Sequence, residues 1–279
     1  MKKLSVILLL LVSVCVRAND DIPEMNDKNG YVEPFQMFDD VYYVGDKWVS
    51  SYAVETNTGL VIIDTLDFPY SKWIPINLKK LGLEKKPVTH ILATHGHSDH
   101  VGGAQYLQAK YGSIVVMTSK GHELAKKQAE KSEGANKFLP PNVDFIVKDG
   151  MTLEIGGKPF KFYITPGHTE GDFSLDFMVQ DSGALYRAFV VGGHSLSAKN
   201  PELANQFFKS MDRIREIALK PPVVTVNLAN HPHKNDLFAN RDNRDKRKND
   251  AEINPFISKS SFFTFLEQQE KLAKEKLVK

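Results

Sequence analysis

The six residues His95-Gly96-His97-Ser98-Asp99-His100 place three imidazoles and a carboxylate in one short loop. Histidine nitrogen and carboxylate oxygen are donors that hydrolytic zinc prefers, and a catalytic zinc takes three protein ligands and keeps one position open. Four such donors exceed what one catalytic ion needs, so the loop can serve two ions if more ligands arrive from elsewhere. A solvated polar loop gives no reason to concentrate them. Three other stretches offer further donors. In Thr165-Pro166-Gly167-His168-Thr169-Glu170-Gly171-Asp172, the Pro-Gly pair forces a turn that aims His168 out of a strand end. In Asn230-His231-Pro232-His233, alternate residues of an extended chain point to opposite sides, and His231 is favoured because it is nearer the preceding strand. In Gly192-Gly193-His194-Ser195-Leu196-Ser197, the side chains of His194, Ser195 and Ser197 can reach a shared mouth. His90 starts an apolar run and suits a packing role, and His122 suits a helix surface.

The elements that must present these residues follow from apolar patterning. Residues 41–44, 48–54 and 60–63 read as short strands joined by Gly45-Asp46 and Asn57-Thr58-Gly59 turns. Asp64 ends the third of them, where its carboxylate either caps the next turn or supports a site. Trp73, Ile74, Ile76, Leu78 and Leu81 space as one helix face over 71–81, with Gly82 as its stop. Residues 88–93 form the strand that delivers the histidine loop. A helix over 103–111, a strand over 113–117 and a helix over 121–131 follow. The second half repeats the plan, with strands at 144–147, 153–155, 160–164, 174–179 and 188–191, a helix over 201–219 opened by Pro201, a strand over 223–226 and an amphipathic helix over 262–277. Residues 241–250 are a mixed-charge run suited to a solvated loop or helix face. Strands then helices, twice over and with no separating linker, imply an α/β chain of two sheet-plus-helix halves packed sheet to sheet.

The chain has 279 residues, 42% of them hydrophobic, and a formal net charge of +2. This is ordinary for a globular core, and the dispersed Lys and Arg give no footprint for nucleic acid. Met1-Lys2-Lys3, the apolar run from Leu4 to Val16, and Val16-Arg17-Ala18 have the form of a cleaved secretory signal over residues 1–18. The run is too short for a membrane span. The expectation is therefore a single domain over 19–279, periplasmic or secreted, with no stable membrane association after cleavage and a small molecule as its substrate. The only cysteine, Cys15, lies inside the signal, so the exported chain has no disulfide, thiolate ligand or Cys nucleophile.

The run His95-Gly96-His97-Ser98-Asp99-His100 resembles the H-x-H-x-D-H signature of the metallo-β-lactamase fold superfamily. Tyr43-Val44-Gly45, Leu60 to Asp64 and Thr165-Pro166-Gly167-His168-Thr169 match in the same order, so the resemblance runs from about Tyr42 to the C-terminus. It implies a four-layer αββα sandwich with two Zn²⁺ at the edge of the facing sheets. His231-Pro232, Ser195-Leu196-Ser197 and Asn254-Pro255-Phe256 resemble the third, cysteine-free His/Asp subclass of metallo-β-lactamases. Carried over by position, one zinc takes His95, His97 and His168, and the other takes Asp99, His100 and His231. The activity implied is opening of a β-lactam amide by zinc-bound hydroxide. Asp99 would orient the water, and Ser195, Ser197 and His194 would lie on the substrate side. Related hydrolases of lactones (acyl-homoserine lactones), thioesters or phosphoesters are the alternative. Many of them carry a bridging Asp where Gly193-His194-Ser195 stands here.

Overall fold

In the strand Gly59–Ile63 every residue is buried, because both faces of its sheet are covered. Leu60 and Ile62 face outward to helices, while Val61 and Ile63 face a second sheet. This explains an uninterrupted apolar run where a one-faced strand would alternate with polar residues. The computed structural model describes residues 22–196, 200–249 and 252–278. The expected signal over 1–18 and Ser197 lie outside them.

The first sheet has the order β1 (Phe35–Phe38), β2 (Val41–Tyr43), β3 (Tyr52–Thr56), β4 (Gly59–Ile63), β5 (Val88–Leu92), β6 (Ile114–Met117) and β7 (Phe145–Ile146). It is antiparallel from β1 to β4 and parallel from β4 to β7. The second sheet has the order β12 (Val224–Asn227), β11 (Ala184–Val190), β10 (Phe173–Asp181), β9 (Lys158–Ile164) and β8 (Thr152–Ile155), antiparallel except for the β11–β12 pair. Between the sheets lies a core that includes Phe38, Tyr52, Ile63 and Leu92 on one side and Phe160, Phe162, Phe173 and Val190 on the other. The outer face of the first sheet packs on α1 (Trp73–Lys80), α2 (Ser98–Val101), α3 (Ala104–Tyr111) and α4 (Ser119–Lys131). The outer face of the second sheet packs Phe189 and Val191 on Phe207, Met211 and Ile214 of α5 (Pro201–Leu219). Beyond α6 (Leu237–Arg244), the terminal helix α7 (Lys259–Val278) adds Phe262 and Leu266 to the same layer. The architecture is the αββα sandwich expected.

One local expectation changes, and one resolves to its helical alternative. Residues 48–51 are not strand. Asp46 Oδ1 accepts from Trp48 N at 2.8 Å and Val49 N at 2.7 Å, and this side-chain turn delays the strand to Tyr52. The mixed-charge run at 241–250 begins inside α6. Buried Leu237 anchors that helix, Phe238 packs edge-on to Tyr43 at 6.0 Å, and Arg241 lies over Phe35 at 5.6 Å. Strand β1, whose register shifts between Gln36 and Phe38, has no counterpart in the sequence pattern.

Candidate metal centre

Strand β5 ends at Leu92, and the chain then turns across the sheet edge. Thr94 anchors the turn. Its amide donates to Asp64 Oδ1 at 2.8 Å and its hydroxyl to Asp64 Oδ2 at 2.9 Å, which ties the loop to the end of β4. Phe173 N donates to Thr94 O at 3.0 Å, so the same residue also joins the second sheet at the start of β10. Gly96 lies against α4. A Cβ there would stand 2.2 Å from Gly121 O and 2.7 Å from Ala125 N, so only glycine lets the loop approach that helix. His95 and His97 leave the loop on either side of Gly96, and α2 then carries Asp99 and His100.

His168 arrives from the turn between β9 and β10. Gly167 has φ +147, and a Cβ on it would meet Phe207 Cα at 2.3 Å. Fully buried Asp172 holds the turn by accepting from His168 N at 2.9 Å, Thr169 N at 2.7 Å and the Thr169 hydroxyl. Burial pushes the Asp172 carboxyl up to about 7 against the pull of these donors. His231 follows β12 and precedes a short 3₁₀ turn, Pro232–Lys234. That turn, rather than an extended segment, sends His233 to the exposed surface.

Two ligand sets form. His95, His97 and His168 are one group and Asp99, His100 and His231 the other, each with its donor atoms within 4.8 Å of one another. In the first, the ring centroids are 4.9, 4.8 and 4.8 Å apart and the planes meet at 82, 88 and 87°. In the second, His100 Nε2 lies 3.1 Å from Asp99 Oδ2 and 3.3 Å from His231 Nε2. The sets adjoin, with the His95 and His100 rings 4.2 Å apart.

The donor chemistry fits a divalent metal. His100 Nδ1 is 2.7 Å from Asp64 Oδ2, His168 Nδ1 is 2.6 Å from Ser195 O, and His231 Nδ1 is 2.7 Å from Trp48 O. These acceptors assign the proton to Nδ1, so in neutral rings each Nε2 carries a bare lone pair. His231 Nε2 and Asp99 Oδ2 both converge on His100 Nε2. His95 Nε2 is buried with no hydrogen-bond partner. Converging unpaired acceptors in a buried site call for a cation. Nitrogen and oxygen donors without thiolate suit zinc, among the borderline metals.

Electrostatics agree. Burial, reinforced by neighbouring imidazoles, holds His95 well below the ordinary histidine range and takes His168 to about 3 and His231 to about 4. His100 is the exception. Burial pushes it down, but Asp99 and Asp64 outweigh this and raise it to about 10. Burial also pushes Asp99 up, yet His100 and His231 bring it well below the usual carboxylate range.

His194 belongs to neither set. It is buried, with Nδ1 2.6 Å from Asn230 Oδ1, and its ring lies 5.0 Å from that of His231 and 6.5 Å from that of His168. Ser195 commits its carbonyl to His168, and its hydroxyl lies 3.4 Å from the same ring. Of the residues that orient the ligands, Asp64 was singled out in the sequence. Sequence reasoning missed Thr94, Asp172 and the Ser195 and Trp48 carbonyls. Thr169-x-x-Asp172 is a turn spacing that could have revealed one of them. A cleft of about 300 Å³ opens beside His97 and His168. Another of about 450 Å³ lies between Asp67, Tyr70 and Ser98 on one side and Ser132, Asn136 and Phe138 on the other.

Residues 44–181, which carry the whole histidine loop and His168, match the model of the metallo-beta-lactamase superfamily. The chain belongs to that superfamily. Its relatives include the beta-lactamase-like protein 2 homolog of Caenorhabditis elegans, 24% identical over 168 residues, which are 60% of this chain and 52% of that protein. A hydroxyacylglutathione hydrolase of Rhodopseudomonas palustris is 33% identical over 124 residues, 44% of this chain and 41% of the relative. The chain spans about half the length of the curated relatives it matches. Among solved structures, the subclass B3 metallo-beta-lactamase BJP-1 of Bradyrhizobium japonicum superposes with a TM-score of 0.78 at 23% identity, covering 88% of this chain and 94% of that one. FEZ-1 from Legionella gormanii gives 0.77 at 22% identity, with 88% and 95% covered. These superfamily structures share the fold.

Proposed function

We propose that the protein is a two-zinc hydrolase of the third metallo-β-lactamase subclass that opens the amide ring of β-lactams. The observation that carries this is two complete His/Asp triads formed with no carboxylate or thiolate from the end of β11. Gly192, Gly193 and His194 stand there. A Cβ on Gly192 would meet Phe173 O at 1.8 Å, and one on Gly193 would meet His168 Cβ at 2.5 Å. Neither glycine position accepts the bridging acid typical of lactonase-like sites. The superposition on B3 enzymes over most of both chains supports the same choice.

His95, His97 and His168 would hold one ion and Asp99, His100 and His231 the other. Bound there, zinc supplies a Lewis acid and a water acidified to a pKa near 7. Asp64, Ser195 O and Trp48 O keep His100, His168 and His231 in the ligating tautomer. Asp99, held ionised by its two histidines, is the catalytic residue that orients the attacking water. Hydrolysis then forms a bond from the water oxygen to the carbonyl carbon and breaks the ring C–N bond, and the nitrogen takes the proton. His194, Ser195 and Ser197 are proposed on the substrate side. We further propose export through residues 1–18, which cell fractionation tests.

The likeness to hydroxyacylglutathione hydrolases supports a second function, thioester hydrolysis on the same metals. Zinc stoichiometry measured alongside nitrocefin and hydroxyacyl-glutathione turnover separates the two. About two zincs per chain and chelator-sensitive nitrocefin opening are expected. Thioester cleavage without nitrocefin turnover would falsify the β-lactam assignment.

A further inference from the structure

The cleft beside His97 and His168 is walled by one face of α4. Lys120, Glu123, Leu124 and Lys127 recur at the spacing that aligns side chains along a helix, and all four line the opening. The opposite wall is the turn carrying Glu170 and, from α5, Leu203. The two lysines differ in how they are engaged. Lys120 Nζ is 2.7 Å from Glu170 Oε2, so its charge is already matched. Among the described residues Lys127 has no carboxylate within ion-pair distance, although it is near enough to Glu170 to act on that carboxyl through space. Leu124 and Leu203 offer apolar surface between the charges. The cleft thus pairs an uncommitted cation with an apolar wall, next to the first ligand triad.

We propose that Lys127 is a specificity-determining residue that docks an anionic group, a carboxylate on an apolar body, of the substrate hydrolysed at the metal centre. This rests on the β-lactam function proposed above. Glu123, one helical turn before Lys127 on the same face and itself without an ion pair among the described residues, opposes such a group. The pair therefore gives a test with two signs. Both residues are exposed, so neutral replacements leave the core intact.

The experiment compares a chromogenic cephalosporin as its free acid and as its neutral methyl ester, with the zinc-loaded full chain. In Lys127→Gln the ratio of KM for the acid to KM for the ester rises about two- to fivefold, the span of one exposed charge pair. The change is carried by KM rather than kcat. In Glu123→Gln the ratio falls, and both changes shrink in high salt. An unchanged ratio in Lys127→Gln, or one that does not fall in Glu123→Gln, overturns the role of Lys127. If the unaltered protein opens neither compound, the β-lactam function fails and this docking role fails with it.

Discussion

At the scale of single residues, the centre depends on groups that fix imidazole protons. Asp64 is the clearest. It closes β4 in the left-handed region at φ 57, which an Asp tolerates better than most side chains. Its two oxygens serve Thr94 and His100 together. Asp64→Asn keeps the shape and removes the charge that makes His100 a strong ligand, so zinc affinity should fall about 10–100-fold. Competition against a chromophoric chelator measures it, and an unaltered affinity would remove Asp64 from the site. The histidines also set a pH dependence for the metal-free protein. His168 and His231 have folded pKa values lowered to about 3 and about 4, so they contribute stability that is present above the ordinary histidine value and lost as pH falls toward those values. His100, raised to about 10, works in the opposite sense. Its contribution is present below the ordinary value and lost as pH rises through about 10. Each group contributes a slope of up to about 1.4 kcal/mol per pH unit inside its window. Chelated protein should therefore be most stable near the ordinary histidine pKa, and urea midpoints across pH 4–9 should show a maximum there. A curve that climbs steadily toward pH 9 would contradict this assignment.

At the scale of elements, strand ends place the ligands and glycines set how closely the loops approach. The histidine loop leaves β5, crosses to α4 at Gly96 and is pinned to β4 and β10 through Thr94. Gly96→Ala would drive a methyl group into the backbone of α4, which cannot step aside as a flexible side chain could. A cost of about 1–3 kcal/mol is expected. Because His95 and His97 flank the displaced residue, zinc retention should fall as well. Urea denaturation of the chelated variant, with metal analysis of the loaded one, checks both effects. A stable variant with full metal content would show that the loop is free to move.

At the scale of the whole molecule, each triad joins the two sheets. The loop after β5 gives two ligands to each triad, and the second sheet completes them with His168 after β9 and His231 after β12. Tyr52 adds a direct link, its hydroxyl donating to Ala229 O at 2.6 Å just before His231. Metal held by these groups would therefore clamp both sheet edges and bind only the folded chain. At about a thousandfold excess over its dissociation constant, a ligand of the native state adds about 4 kcal/mol. For a chain of this size that raises Tm by on the order of 10 °C. Melting curves with and without chelator give the shift, and His168→Ala should lose much of it because one triad is left with ligands from a single sheet. Equal melting temperatures in all three samples would argue against the clamp.

What sequence alone determined is local in origin. The apolar runs leading to His95, His168 and Asp64 specify strands because side-chain burial repeats at short range, and the H-x-H-x-D-H spacing brings four donors into one loop without help from the rest of the fold. The double-faced burial of β4 was visible as an unbroken apolar run. The Asp46 turn competed with strand propensity over 48–51, and α6 was hidden because its charged surface outweighs the few residues that anchor it. The family resemblance implied which donors belong together, and only the tertiary structure brings them into contact. His97 meets His168 across 71 residues and His100 meets His231 across 131. The acceptor that orients His231 is a backbone carbonyl 183 residues away, at Trp48. A carbonyl has no residue type to betray it. Such partners are chosen by where two sheet edges meet, which depends on the packing of the whole core rather than on any stretch of chain.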